Sequence, residues 1–170
     1  MDLLRQQQKL KLFVNLSEPS LRNPELRESI ASWLRRNPCV MGRLGFQIVE
    51  MTAVQDLQST HAWAHQLMPL GCRFVLDDFG MGLGTLPHLK VLPVDTLKLE
   101  PSLVNQVETD TSAQAVVRAF VDVAHALGKS VAAKQVTSPS AAAALRDLGV
   151  EWGQGPLWGV PAESPWIKES

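Results

Sequence analysis

The chain has 170 residues, of which 45% are hydrophobic and 19% are charged, so we expect one folded domain and exclude a disordered segment. Its 16 basic and 17 acidic residues give a net charge of −1, which excludes the basic surface that duplex nucleic acid or an anionic membrane requires. No apolar run approaches the roughly 18 residues of a membrane span, so we expect no membrane insertion by this segment.

Short apolar runs alternate along the chain with longer segments of helical periodicity. This alternation predicts an α/β fold in which helices cover a parallel sheet. The predicted strands are, in chain order, residues 9–16, 44–50, 72–76, 96–99, 130–133 and 149–152. The predicted helices are residues 19–36, 54–68, 86–92, 111–127 and 139–148.

Polar side chains recur where the predicted strands end. They are Asn15, Glu50, Asp77 with Asp78, Lys98, Lys134 and Gln154. In a (β/α) barrel all strand ends meet at one rim, where active sites are built, whereas an open sheet gathers such residues at one switch point. One polar residue at every strand end therefore favours a barrel.

The chain is short for a complete barrel. Eight βα units take roughly 250 residues, so about six strands predict a TIM-like (β/α) barrel that is truncated at its N-terminus. We expect residues 1–170 to form this single partial domain, with loose ends at 1–8 and 162–170. An unclosed barrel exposes strand edges, which predicts a protein partner or a homodimer.

The sharpest local pattern is Asp77-Asp78-Phe79-Gly80, at the end of an apolar strand. Two adjacent carboxylates there are costly unless a cation lies beside them, and a divalent metal is the usual compensation. The alternative is a helix cap with an exposed neighbour. Lys98 lies between two leucines, so we expect it to point to the opposite side of the sheet from them, the alternative being a surface lysine on an edge strand.

The order of these motifs resembles the EAL domain, the bacterial cyclic di-GMP phosphodiesterase family. The matching stretches are FVNLS (13–17), IVEMT (48–52), VLDDFGMGLGTLPHLKVLPVDTLKLEPSLV (75–104), VVRAFVDVAHALGKSVAA (116–133) and WGQGPLWGVP (152–161). The resemblance implies a TIM-like barrel in which two divalent metals, magnesium or manganese, grip a phosphate of the dinucleotide and activate a water.

The resemblance also implies roles for particular residues. By position, Asn15, Glu50, Asp77 and Asp78 would be metal ligands, and Lys98 would be the catalytic residue that orients or helps to activate the water. Gln154 would lie near the metal-bound water and the ligand, and Pro161 near a guanine.

The chain departs from the family pattern at four places. The Glu-Ala-Leu signature, which the family places on a strand before Asn15, is absent. The first glutamate of Ala-Glu-Gly-Val-Glu is Lys134, and the second glutamate of Glu-x-Thr-Glu is Ala53. The loop after the aspartates reads GMGLGTL rather than Gly-Thr-Gly-Tyr-Ser-Ser-Leu, and the arginine before the final proline is Val160.

These departures change the charge of the rim. It keeps three carboxylates beside two lysines, a net charge of −1, where the family pattern has five carboxylates and one lysine. A unit-charge contact at about 4 Å is worth roughly 4 kcal/mol at an effective dielectric near 20, which is enough to empty a metal site. Lys134 would instead pair with Asp78 or Glu50, or bind a phosphate directly.

The predicted function is therefore that of a degenerate EAL domain in cyclic di-GMP signalling. It would act without catalysis, either as a cyclic di-GMP receptor or as a protein-interaction module. The alternative is an active metal-dependent phosphodiesterase that hydrolyses cyclic di-GMP to linear pGpG. The cofactor would be magnesium or manganese if a metal is retained, and none otherwise. We expect a cytoplasmic domain, alone or as the cytoplasmic portion of a larger signalling protein.

Overall fold

A computed structural model describes residue 4 and residues 10–81 and 86–161 of the chain. Within these residues six parallel strands form one curled sheet whose strand order follows the chain order. The predicted α/β half-barrel is thus confirmed. The expected loose ends at 1–8 and 162–170 lie outside the described residues, apart from the buried Leu4.

The strands are β1 (Leu12–Leu16), β2 (Leu44–Val49), β3 (Arg73–Phe79), β4 (Thr96–Leu99), β5 (Ser130–Ala133) and β6 (Trp152–Gly153). Strand β3 continues past its predicted end at Leu76 and includes both aspartates. Its pairing with β4 shifts register between Leu76 and Phe79. This irregularity lies where the two carboxylates enter the rim.

The helices are α1 (Glu18–Leu21), α2 (Pro24–Arg36), α3 (Glu50–Gln55), α4 (Leu57–Leu67), α5 (Leu86–Leu89), α6 (Pro101–Gln106), α7 (Thr111–Ala126) and α8 (Pro139–Asp147). Short 3₁₀ turns cover Pro38–Val40 and Met68–Leu70. Two helical predictions were wrong, and one helix was missed. The single helices expected over 19–36 and 54–68 are each two helices, and α6 was not predicted.

Capping side chains explain these differences. Asn23 accepts a hydrogen bond from the Leu26 amide at 2.9 Å, and Asp56 accepts one from the Ser59 amide at 3.0 Å, so each starts a new helix inside an otherwise periodic segment. Glu100 accepts one from the Ser102 amide at 2.8 Å and starts α6. Apolar periodicity alone does not locate such breaks.

The hydrophobic core lies between the outer face of the sheet and the helices. Phe46 packs there between Trp63 of α4 and Phe74, with ring centroids 5.4 and 5.6 Å apart, and the Trp63 indole donates a hydrogen bond to the Leu21 carbonyl at 2.8 Å. The tryptophan is thus a packing residue. The helices are thus packed against the outer face of the sheet. The concave inner face does not contribute to this core.

The inner face of the curl lines a cavity of about 1170 Å³. Its lining includes the polar side chains of Gln47, Thr96, Lys98 and Ser130 beside apolar Phe13, Val75 and Trp152, whereas a closed TIM barrel fills this space mainly with branched apolar side chains. The leucines that flank Lys98 are buried in the core on the other side, as the alternation predicted. The sheet therefore presents Lys98 to the concave side.

Candidate functional site

Lys134 and the two aspartates form an ion cluster at the carboxyl ends of β3 and β5. The Lys134 ammonium donates a hydrogen bond to Oδ1 of Asp77 at 3.0 Å and forms a second ion pair with Asp78. All three side chains are partly buried. Burial by itself would lower the pKa of Lys134, but the hydrogen bonds that its ammonium donates to Asp78 and Asp77 outweigh this effect, and its pKa is raised. The ammonium is therefore firmly held.

The backbone at both strand ends turns into the left-handed region. Asp78 has a φ of 57° and Gln135 a φ of 59°, a conformation that costs a residue with a side chain about 1 kcal/mol or more. Asp77 supports this turn because its Oδ1 accepts a hydrogen bond from the Asp78 amide at 3.0 Å. The turns bend both chains at the rim, where the carboxylates and the ammonium meet.

Lys98 belongs to a second polar group on the inner face. Its side chain is 8% exposed, and its ammonium donates a hydrogen bond to Oε1 of Gln47 at 2.8 Å. The Gln47 amide nitrogen donates in turn to Oδ1 of Asn15 at 3.0 Å. Burial lowers the pKa of Lys98, and the charge of Lys134 adds to this, while Asp77 and Asp78 oppose it.

Gln47 is the site residue that sequence reasoning missed. The register pairs it with Asn15 on β1, so both side chains lie on one face of the sheet. The signal was an amide between apolar neighbours in a strand, two positions after an inward glycine at Gly45. Because its neighbours are apolar, Gln47 does not stand out within the predicted strand over residues 44–50.

Glu50 does not join the ion cluster. It is the first residue of α3 and is 1% exposed. Its Oε2 accepts a hydrogen bond from the Gly80 amide at 3.0 Å, and its buried Oε1 has no hydrogen-bond partner among the described residues. The carboxylate thus secures the backbone that follows the aspartates. The loop residues 82–85 that come next lie outside the described residues.

Gln154 and Pro161 lie after β6. Gln154 is exposed and lines the concave cavity, and its backbone bridges Ala133 and Val136 through hydrogen bonds of 2.8 and 3.1 Å. Pro161 is exposed at the end of the described range and does not line this cavity. The structure therefore brings Gln154 to the rim and leaves Pro161 outside it, and their binding roles stay predictions.

The described side chains do not form the donor set of a two-metal centre. Within residues 10–81 and 86–161, no group of three or more histidine, cysteine, aspartate or glutamate side chains could hold a metal ion. The oxygens of Asp77 and Asp78 face an ammonium, and Glu50 is engaged with Gly80. A divalent cation would have to displace a lysine that two carboxylates hold.

The fold and the rim define the class: a parallel (β/α) half-barrel with its polar side chains gathered at the carboxyl ends of the strands. Over the same part of the chain, no helix has the length and apolar content that crossing a membrane requires. The model of the EAL domain family matches residues 1–161. The chain belongs to the EAL domain family.

Relatives of known name support this assignment. The chain is 30% identical over 148 residues to the bifunctional diguanylate cyclase/cyclic di-GMP phosphodiesterase MucR of Pseudomonas aeruginosa, covering 87% of this chain and 22% of MucR. It is also 30% identical over 148 residues to the cyclic di-GMP phosphodiesterase PdeB of Shewanella oneidensis, covering 87% of this chain and 17% of PdeB. The chain therefore spans about a fifth of these relatives.

Solved EAL structures share the fold. The FimX EAL domain from Pseudomonas aeruginosa, bound to c-di-GMP, superposes with a TM-score of 0.88 at 28% identity, covering 96% of this chain and 66% of that one. A c-di-GMP complex of the PaMucR phosphodiesterase superposes with a TM-score of 0.79 at 30% identity, covering 89% and 61%. The half-barrel thus corresponds to about two thirds of these EAL chains.

Proposed function

We propose that this chain is a cytoplasmic receptor domain that binds cyclic di-GMP without hydrolysing it. The observation that carries the proposal is the contact of Lys134 with both Asp77 and Asp78. A lysine stands here at the position where the resemblance places a glutamate, and its ammonium occupies the carboxylates that would otherwise bind metal.

Hydrolysis needs more than this rim offers. In-line attack on a phosphodiester by a metal-activated water requires cations that lower the pKa of the water and neutralise the developing charge. The three carboxylates of the rim are already engaged, two by Lys134 and one by the Gly80 amide. To hold a metal, Asp77 and Asp78 would first have to give up Lys134, which leaves Oε1 of Glu50, buried and without a hydrogen-bond partner among the described residues.

Binding of an anion is better supported than its cleavage. Lys98 donates a hydrogen bond to a neutral partner, Gln47, and no carboxylate among the described residues forms an ion pair with it. A charge-assisted hydrogen bond from such an ammonium to a phosphate oxygen is short and strong. The similar FimX EAL domain is bound to c-di-GMP, which supports this ligand for the present chain.

The test is calorimetry with cyclic di-GMP, in EDTA and in manganese, followed by chromatography of the incubated ligand. We expect equal affinity under both conditions and no linear product. Heat only in manganese, or formation of pGpG that Asp77→Asn abolishes, would establish the metal-dependent phosphodiesterase instead. No binding at tens of micromolar ligand would refute the receptor.

One observation favours a second candidate, a protein-interaction module. Phe13 and Val14 on the edge strand β1 are 43% and 40% exposed, and an apolar edge strand is a surface for pairing with another chain. This candidate predicts a stable dimer or complex by light scattering together with no response to cyclic di-GMP. A monomer at high concentration that binds cyclic di-GMP would reject it.

A further inference from the structure

The two lysines of the rim differ in what they touch. Lys134 contacts two carboxylates, whereas Lys98 donates its hydrogen bond to the neutral amide oxygen of Gln47. Carboxylates in contact with an ammonium compensate its positive charge, so the group attracts an anionic ligand only weakly. A neutral amide leaves the positive charge uncompensated. Lys98 is therefore the better anchor for an anion.

Gln47 lies two strands away from Lys98. Strand β3 separates them, and the register aligns Gln47 with Val75, which is aligned in turn with Thr96. Neighbouring strands are about 4.8 Å apart, so Lys98 must extend across β3 to reach the Gln47 oxygen. Lys98 therefore contacts a neutral amide on β2, although the carboxylate of Asp77 belongs to β3, the strand between them.

The orientation of the Gln47 amide is determined by its two partners. The Lys98 ammonium can only donate, so it must face the amide oxygen. The amide nitrogen then faces Asn15, whose Oδ1 accepts its hydrogen bond. With both ends engaged, the amide has one arrangement that satisfies all three side chains.

We infer that Gln47 is a positioning residue for phosphodiester binding, which holds the Lys98 ammonium on the concave face through a neutral acceptor and so does not neutralise it. This inference rests on the proposed receptor function and assigns a role in that same site. Without the Gln47 oxygen, Lys98 would turn to the nearest carboxylates and lose its charge for the ligand.

The test is a pair of substitutions measured by calorimetry with cyclic di-GMP in EDTA over a range of salt concentrations. Gln47→Glu keeps the shape and adds a charge that cancels Lys98, so we expect a loss of affinity of roughly tenfold or more, with a weaker salt dependence. Gln47→Met keeps the size and removes the acceptor, so we expect a smaller loss. Gln106→Glu, an exposed position on α6, adds the same charge elsewhere and should bind like the wild type.

The binding results distinguish a failure of the proposed role of Gln47 from a failure of the proposed receptor function. Binding by the wild type with unchanged affinity and salt dependence in both Gln47 variants would overturn the inference and leave the receptor standing. Equal losses in Gln47→Glu and Gln106→Glu would also overturn it, since the effect would then be one of net charge. Absence of binding by the wild type would refute the receptor, and the role of Gln47 with it. Circular dichroism of each variant identifies any that fails to fold, and the other Gln47 variant then decides.

Discussion

The Lys134 ammonium lies 3.0 Å from Oδ1 of Asp77, although strand β4 separates the strands at whose ends these residues stand. The lysine side chain is long enough to cross β4 over the rim, and the left-handed turn at Gln135 follows directly. This one contact joins the third and fifth strands and places a positive charge among the carboxylates. It is the feature on which the proposed loss of metal-dependent chemistry rests.

Restoring a carboxylate at this position should create a cation site. In Lys134→Glu the ammonium leaves and a third carboxylate faces Asp77 and Asp78, which suits a hard divalent cation. We expect electron paramagnetic resonance to show bound manganese in Lys134→Glu and much weaker binding in the wild type. Lys134→Gln is the matched control, because it removes the ammonium without adding a ligand. Equal manganese binding by the wild type and Lys134→Glu would contradict the account of the rim.

Removing the lysine should also destabilise the fold. Lys134→Met leaves two adjacent carboxylates without a cation, and the pair is partly exposed, so we expect a loss of about 1–2 kcal/mol rather than the larger cost of a fully buried pair. Urea unfolding measures it. Adding Asp77→Asn and Asp78→Asn to Lys134→Met should recover part of the loss, because the repulsion then disappears. A triple variant less stable than Lys134→Met would argue against this cause.

We expect the buried charge of Glu50 to lower the free energy of unfolding. Its side chain is buried and only one of its oxygens has a partner among the described residues. Glu50→Gln keeps an acceptor for the Gly80 amide and removes the buried charge, so we expect an increase in the free energy of unfolding of about 1 kcal/mol. Glu50→Ala loses the acceptor and should lower it by about 1–3 kcal/mol. The reverse order in urea unfolding would show that the carboxylate is compensated.

The two cysteines should react differently with a thiol reagent. Cys39 is exposed and Cys72 is buried, and burial raises the pKa of the Cys72 thiol from its ordinary 9.0 to about 11. At pH 8 we expect the folded chain to react rapidly at Cys39 alone, and at both thiols in denaturant. Cys39→Ser should remove the rapid reaction of the folded chain. Rapid labelling of that variant would mean that Cys72 is accessible.

The same thiol predicts a dependence of stability on pH. The folded state holds the Cys72 proton up to about pH 11, while the unfolded chain releases it from about pH 9.0. The unfolded state therefore binds fewer protons in this window, and stability falls as the pH rises through it, by about 1 kcal/mol at pH 10. Cys72→Ala should lose this component, so the stability difference between wild type and variant should shrink between pH 8 and pH 10. A constant difference would contradict the raised pKa.

Part of the site could be predicted from particular residues. Lys98 stands between two leucines, and period-two alternation was enough to direct it away from the core. Asp77 and Asp78 follow an apolar run, which marked them as strand-end carboxylates in need of a cation. The helix breaks at Asn23 and Asp56 escaped prediction because a polar side chain within a periodic segment reads equally well as an exposed helical position or as a cap.

The amino-acid sequence by itself determined the layer order, the parallel sheet and the set of polar residues at the strand ends, because alternation and periodicity are local properties that each segment carries with it. Only the tertiary structure decided which of those polar groups meet. Lys134 pairs with the aspartates rather than with Glu50, and Lys98 reaches Gln47 on β2, because the curl of the sheet and the left-handed turns at its rim set distances between side chains that are far apart along the chain.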